Sequence, residues 1–68
     1  MTIDEIGERL RAISNASGDS ETAHDLEDRL HSDVLWAIGS GELTGSEAQA
    51  AAILAWGSKH IDFSRWHA

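Results

Sequence analysis

No proline occurs anywhere in this chain, so no position carries the ring that removes a backbone donor and breaks a helix. Ala, Leu, Glu and Arg are plentiful and β-branched residues are scattered, which makes helix the default backbone. The chain has 68 residues and no cysteine, so neither a disulfide nor a thiolate metal site can hold it together. One apolar core has to do so, and chains of this size bury a modest share of their surface. The larger apolar residues suffice for one compact core with little spare, and a homodimer would add to it.

Three helices follow from start signals and spacing. The first is expected over about 3–16. Thr2 with Glu5 fits a capping box, Asp4 and Glu5 suit the positive end of the helix, and Ile3, Ile6, Leu10 and Ile13 repeat at helical spacing. Gly7 weakens it by about 1 kcal/mol relative to Ala unless a partner packs close there. The run "SNASGDS" ends it. The second helix, about 20–38, carries the stripe Ala23, Leu26, Leu30, Val34 and Ala37, and "GSG" at 39–41 stops it. The third, about 45–57, opens on "TGSE", a second capping box of Thr44 and Glu47, with Leu43 and Ala48 placed as a hydrophobic staple. "AQAAAILAW" is apolar nearly all round, which predicts a central helix or one buried on two sides. Gly57 is its expected C-cap. The segment 58–68 carries Ile61, Phe63 and Trp66, so it should dock, and "DFSRW" could form one helical turn capped by Asp62. The expected architecture is an all-α, single-domain, three-helix mini-domain with a docked C-terminal turn.

Charge narrows the partners. Twelve acids against five bases give a net charge of −7, which argues against direct binding to a phosphate backbone. A charged partner, if there is one, would be basic. No apolar run approaches the roughly 18 residues of a membrane span, and the acidic, amphipathic start "MTIDEIGERL" is unlike a signal peptide. These features predict a cytoplasmic protein with no membrane association.

The stretch "AHDLEDRLH" at 23–31 poses the sharpest chemical question. On a helical wheel His24, Asp28, His31 and Leu35 share a second face, distinct from the core stripe. Imidazole and carboxylate ligate zinc-like ions, and His24 with Asp28 has chelating spacing. His24 and His31, however, lie about 10 Å apart along the axis, too far to share one ion easily. The spacing is also not that of a metalloprotease helix. A native metal site, with candidate ligands His24, Asp28 and His31, is therefore the weaker reading, and no cofactor is expected. The stronger one is a structural network in which the tail crosses this face and Arg65 meets a carboxylate. Its members would be His24, Glu27, Asp28, Asp62, Arg65 and Trp66, with Leu35 against Phe63 or Trp66.

"AHDLEDRLH" followed by "VLWAI" and a terminal "IDFSRWHA" resembles a group of small acidic proteins encoded by actinobacterial phages. Their pattern runs A-H-x-x-E-D-x-L, then V-L-x-x-I, and closes on I-D-F-x-R-W-x-A. The likeness covers Ala23 to Ala68 and rests on His24, Glu27, Asp28, Leu30, Val34, Leu35, Ile38, Asp62, Phe63, Arg65 and Trp66. The pattern usually has an aromatic where this chain has His31. The resemblance implies a phage source, the host cytoplasm as location and a shared fold unit, but no activity.

Other chemistry is poorly represented. No serine sits in a recognisable nucleophile elbow, and "GSGELTG" lacks the lysine and spacing of a phosphate loop. No enzymatic activity is expected. Trp56 and Trp66 are assigned to the core, while Trp36 lies off the core stripe as an interface or surface residue. The expected function is protein binding, by self-association or to a host or phage protein. Two alternatives stand beside it. One is an acidic DNA mimic presenting Asp19, Glu21, Asp25, Asp28 and Asp33 to a nucleic-acid-binding protein. The other is a weak metal-binding module.

Overall fold

In a computed structural model, which describes residues 1–65, the chain folds into three helices and one short turn. They are α1 (Ile3–Asn15), α2 (Ser20–Gly39), α3 (Gly45–Trp56) and a 3-10 turn (Gly57–His60), with no strand among the described residues. The result is an all-α three-helix mini-domain in which each helix packs against the other two. No helix of the described residues is long and apolar enough to cross a membrane.

The apolar spacing of α1 and α2 builds the core. Ile6 and Ile13 enter from α1, and Ala23, Leu30, Val34 and Ala37 from α2. Leu43 enters from the α2–α3 turn, Ala51 and Ala55 from α3, and Phe63 from the C-terminal segment. Ile3, Leu10, Leu26 and Ile38 pack half-buried around them. Gly7 has nothing close to the position a Cβ would take, so no partner exploits its small size.

Two of the three helix starts are capped by side chains. Thr2 Oγ1 accepts from the Glu5 amide at 3.1 Å. Asp19 accepts from the Thr22 amide at 3.3 Å and from the Thr22 hydroxyl at 2.9 Å. The capping box expected at α3 does not form. Gly45 enters the helix at φ +54°, and the Glu47 amide donates to the Thr44 carbonyl at 3.1 Å instead of its hydroxyl. Upstream, Gly41 adopts φ +84°, a left-handed conformation that suits glycine, and the Leu43 amide returns to the Ala37 carbonyl at 3.0 Å.

Two expectations for α3 need correction. It is not central: its alanines Ala51 and Ala55 face the bundle, while Ile53 and Trp56 are 68 % and 57 % exposed. With three helices, α1 and α2 cover one side of α3 and no layer remains for the other. Trp56 is thus a surface residue, not a core one. Gly57 is the C-cap of α3, as expected, and its φ of −62° lets the backbone run on into the 3-10 turn.

The C-terminal segment docks through Phe63, but "DFSRW" forms no helical turn within the described residues. The chain turns extended at Ile61, and the Arg65 guanidinium donates to the carbonyls of Ile61, Phe63 and Ser58, the last of which also accepts from the Ile61 amide at 2.9 Å. Trp66, expected in the core and in the network, lies outside the described residues.

Candidate functional site

Glu27 sits at the edge of the core stripe of α2 and is only 5 % exposed. A carboxylate there needs a full set of donors. Arg65 supplies two, Nε to Oε1 at 2.8 Å and Nη2 to Oε2 at 3.0 Å, and the Ser58 hydroxyl donates to Oε2 at 2.7 Å. The same guanidinium stacks 3.7 Å over the Phe63 ring and donates Nη2 to the carbonyls of Ser58 (3.0 Å) and Ile61 (2.9 Å). One arginine thereby ties α2, the 3-10 turn and the C-terminal segment together.

His31 completes the arrangement. Its Nε2 lies 3.0 Å from the Ala55 carbonyl and 2.8 Å from Ser58 Oγ. A carbonyl can only accept, so Nε2 carries a hydrogen. Ser58 Oγ then accepts from His31 and passes its own proton toward Glu27. In a nucleophilic triad the serine would donate to the imidazole instead. Here the order is reversed and Ser58 is fully buried, so the bonding holds the turn rather than activating a nucleophile.

Burial alone would push the Glu27 carboxyl up. The bonds from Arg65 and Ser58, with the charges of Arg65 and His31, outweigh it and hold the carboxyl below the usual glutamate range. Hydrogen bonding to Glu27 in turn pushes the Arg65 guanidinium up.

The expected network members do not all meet. Glu27 and Arg65 come together. Among the described residues, His24 and Asp28 pair with each other, at 3.5 Å along α2, and Asp62 is exposed, makes no hydrogen bond to the cluster and acts on Arg65 through its charge. His31, weighed as a metal ligand, is turned toward Ser58 and Ala55, away from His24 and Asp28. Among the described residues no group of three His, Cys, Asp or Glu side chains is placed to hold a metal ion. Ser58 was missed, and nothing in "GSKH" marks it, because its role depends on where α3 ends. Of the five carboxylates considered for DNA mimicry, Asp19 caps α2, Asp25 pairs with Arg29 at 3.2 Å, Asp28 with His24, and Asp33 with Arg9 at 2.7 Å.

Leu35 is 71 % exposed: Phe63 turns into the core and Arg65 anchors its segment at Glu27, on the other side of His31, while the expected contact with Trp66 lies outside the described residues. Above that anchor, α2 and α3 leave an open groove of about 250 Å3, lined by His31, Val34, Leu35, Ile38, Ala52, Ala55 and Trp56. Trp56 walls one end, with His60 edge-on at 5.5 Å and the Lys59 ammonium 4.4 Å above its ring. Trp36, 75 % exposed, is not among the groove residues. No protein-family model matches this chain, and no curated protein or solved structure matches it at a significant level.

Proposed function

We propose that this chain is a small, non-catalytic phage-type accessory protein that acts by binding protein through the α2–α3 face. The observation that carries the reading is that Leu35 and Trp56, both exposed, line the groove, with Ile53 exposed on the same helix α3. Contiguous apolar surface on a small domain marks an interaction site, and tryptophan is a favoured anchor there. The phage assignment rests on the likeness of "AHDLEDRLH" and "IDFSRWHA" to small actinobacterial phage proteins, and it places the work in the host cytoplasm.

Photo-crosslinking in the producing cell tests the reading. A photoreactive residue at position 53 should yield adducts, identified by mass spectrometry as a second copy or another protein, and Leu35→Glu should abolish them. The same residue at exposed Ala12 on α1 should not give them. Equal adducts from both positions, or none from position 53, would overturn the reading.

A further inference from the structure

We propose that the C-terminal segment 61–65 is a strap that opens as a unit, hinged after the 3-10 turn, while the three helices stay folded. The proposal is independent of the protein-binding reading above.

A segment can open on its own when few buried contacts hold it and the rest of the fold does not rely on it. Among the described residues no backbone–backbone hydrogen bond joins 61–65 to a helix, and the Ile61 amide reaches back only to the Ser58 carbonyl in the turn. Side chains hold the segment instead. Phe63 is buried, Ile61 packs half-buried against the core, and the Arg65 guanidinium bonds both oxygens of Glu27. Its other donations, to the Phe63, Ile61 and Ser58 carbonyls, tie the segment to itself and to the turn rather than to a helix. They give the strap its shape and make it move as one piece.

The helices have a core without it. Phe63 apart, every buried apolar side chain described comes from the helices or the α2–α3 turn, and each helix packs against the other two. Ser58 belongs to the 3-10 turn, and its bonds to Glu27 at 2.7 Å and to His31 at 2.8 Å do not involve the strap. The hinge lies where that turn ends, at exposed His60, and the backbone switches to φ −77° and ψ 124° at Ile61. When the strap lifts, water takes the place of the guanidinium at Glu27, so no buried charge is stranded. The open form presents that carboxylate and the Phe63 ring, both of which the closed form buries.

Native-state proteolysis of the full chain with chymotrypsin, its cut sites read by mass spectrometry, tests the proposal. The bond after Phe63 reports the strap, and the bond after Trp36 reports α2. Each cut tracks the population of the form that exposes it. The Phe63 cut should come first and stay nearly level in urea below the unfolding transition, because lifting the strap exposes little surface. The Trp36 cut should rise steeply with urea. Gly7→Ala, which favours α1, should slow the Trp36 cut about fivefold and leave the Phe63 cut unchanged. Glu27→Gln, with helical circular dichroism unchanged, should speed the Phe63 cut by about tenfold or more. A Phe63 cut that climbs with urea alongside the Trp36 cut, or that Gly7→Ala slows equally, would show that the strap opens only when the helices unfold and would overturn the proposal. A Phe63 cut indifferent to Glu27→Gln would overturn it too, because the clamp would then not be what holds the strap.

Discussion

Glu27 is tolerated inside a small helical core because three donated hydrogen bonds replace the water it gives up. Arg65→Ala leaves that carboxylate buried and uncompensated and should cost about 3 kcal/mol in urea unfolding, the lower end of the usual range because Arg65 itself is part-exposed. Arg65→Lys should recover little of the loss, since an ammonium cannot span both carboxylate oxygens and the Ser58 and Ile61 carbonyls. The pH dependence has a fixed sign. The folded-state pKa of Glu27 lies below its unfolded value, so the stabilisation is complete above the ordinary glutamate pKa of about 4.3 and is lost as pH falls through the lower folded value. Urea midpoints between pH 6 and 2.5 should fall on acidification, and Glu27→Gln should flatten that slope. That Arg65 would meet a carboxylate was legible in the sequence. Which one was not, because Glu27 lies on the wheel between the core stripe and the His24–Asp28 face. The choice depends on the path of the tail, which the 3-10 turn at Gly57–His60 sets.

At the scale of the helices, local chemistry separates positions that look alike. Thr2 and Thr44 both open S/T-x-x-E patterns, but only Thr2 receives its amide. Thr2→Ala should therefore cost about 1 kcal/mol, while Thr44→Ala should move the melting temperature very little. Gly7 sits inside α1 with open space around its Cβ position, so Gly7→Ala should stabilise the fold by about 1 kcal/mol in the same assay. The helices were legible because their apolar residues repeat at helical spacing and glycines follow their ends. The failed cap at α3 was not, because the left-handed backbone at Gly45 that redirects the Glu47 amide leaves no trace in residue type alone. The misplacement of α3 has a similar origin. A helix that is apolar all round gives no direction, and its exposed side is decided by there being only two helices to cover it.

Taken as a whole, the molecule has a closed side and an open one. The guanidinium of Arg65 ties the 3-10 turn to α2 at one end, and Leu35, Ile38, Ala52 and Trp56 line the groove beyond it. A 68-residue chain gains from covering such a surface, and α3, whose single charged residue is Glu47, brings little charge to it. The second face of α2 was visible in the sequence, but that Phe63 and Arg65 stop short of Leu35 was not, because it depends on the path the chain takes after the 3-10 turn. The claim that this side is where the protein meets protein is tested most directly by amide and indole NMR spectra recorded across a dilution series. Shifts should concentrate on Leu35, Ile38, residues 49–56 and the Trp56 indole, with the Trp36 indole and α1 unchanged. Changes centred on Trp36 and α1 would contradict it, as would spectra that do not change up to millimolar concentration in a chain that also gives no crosslink from position 53.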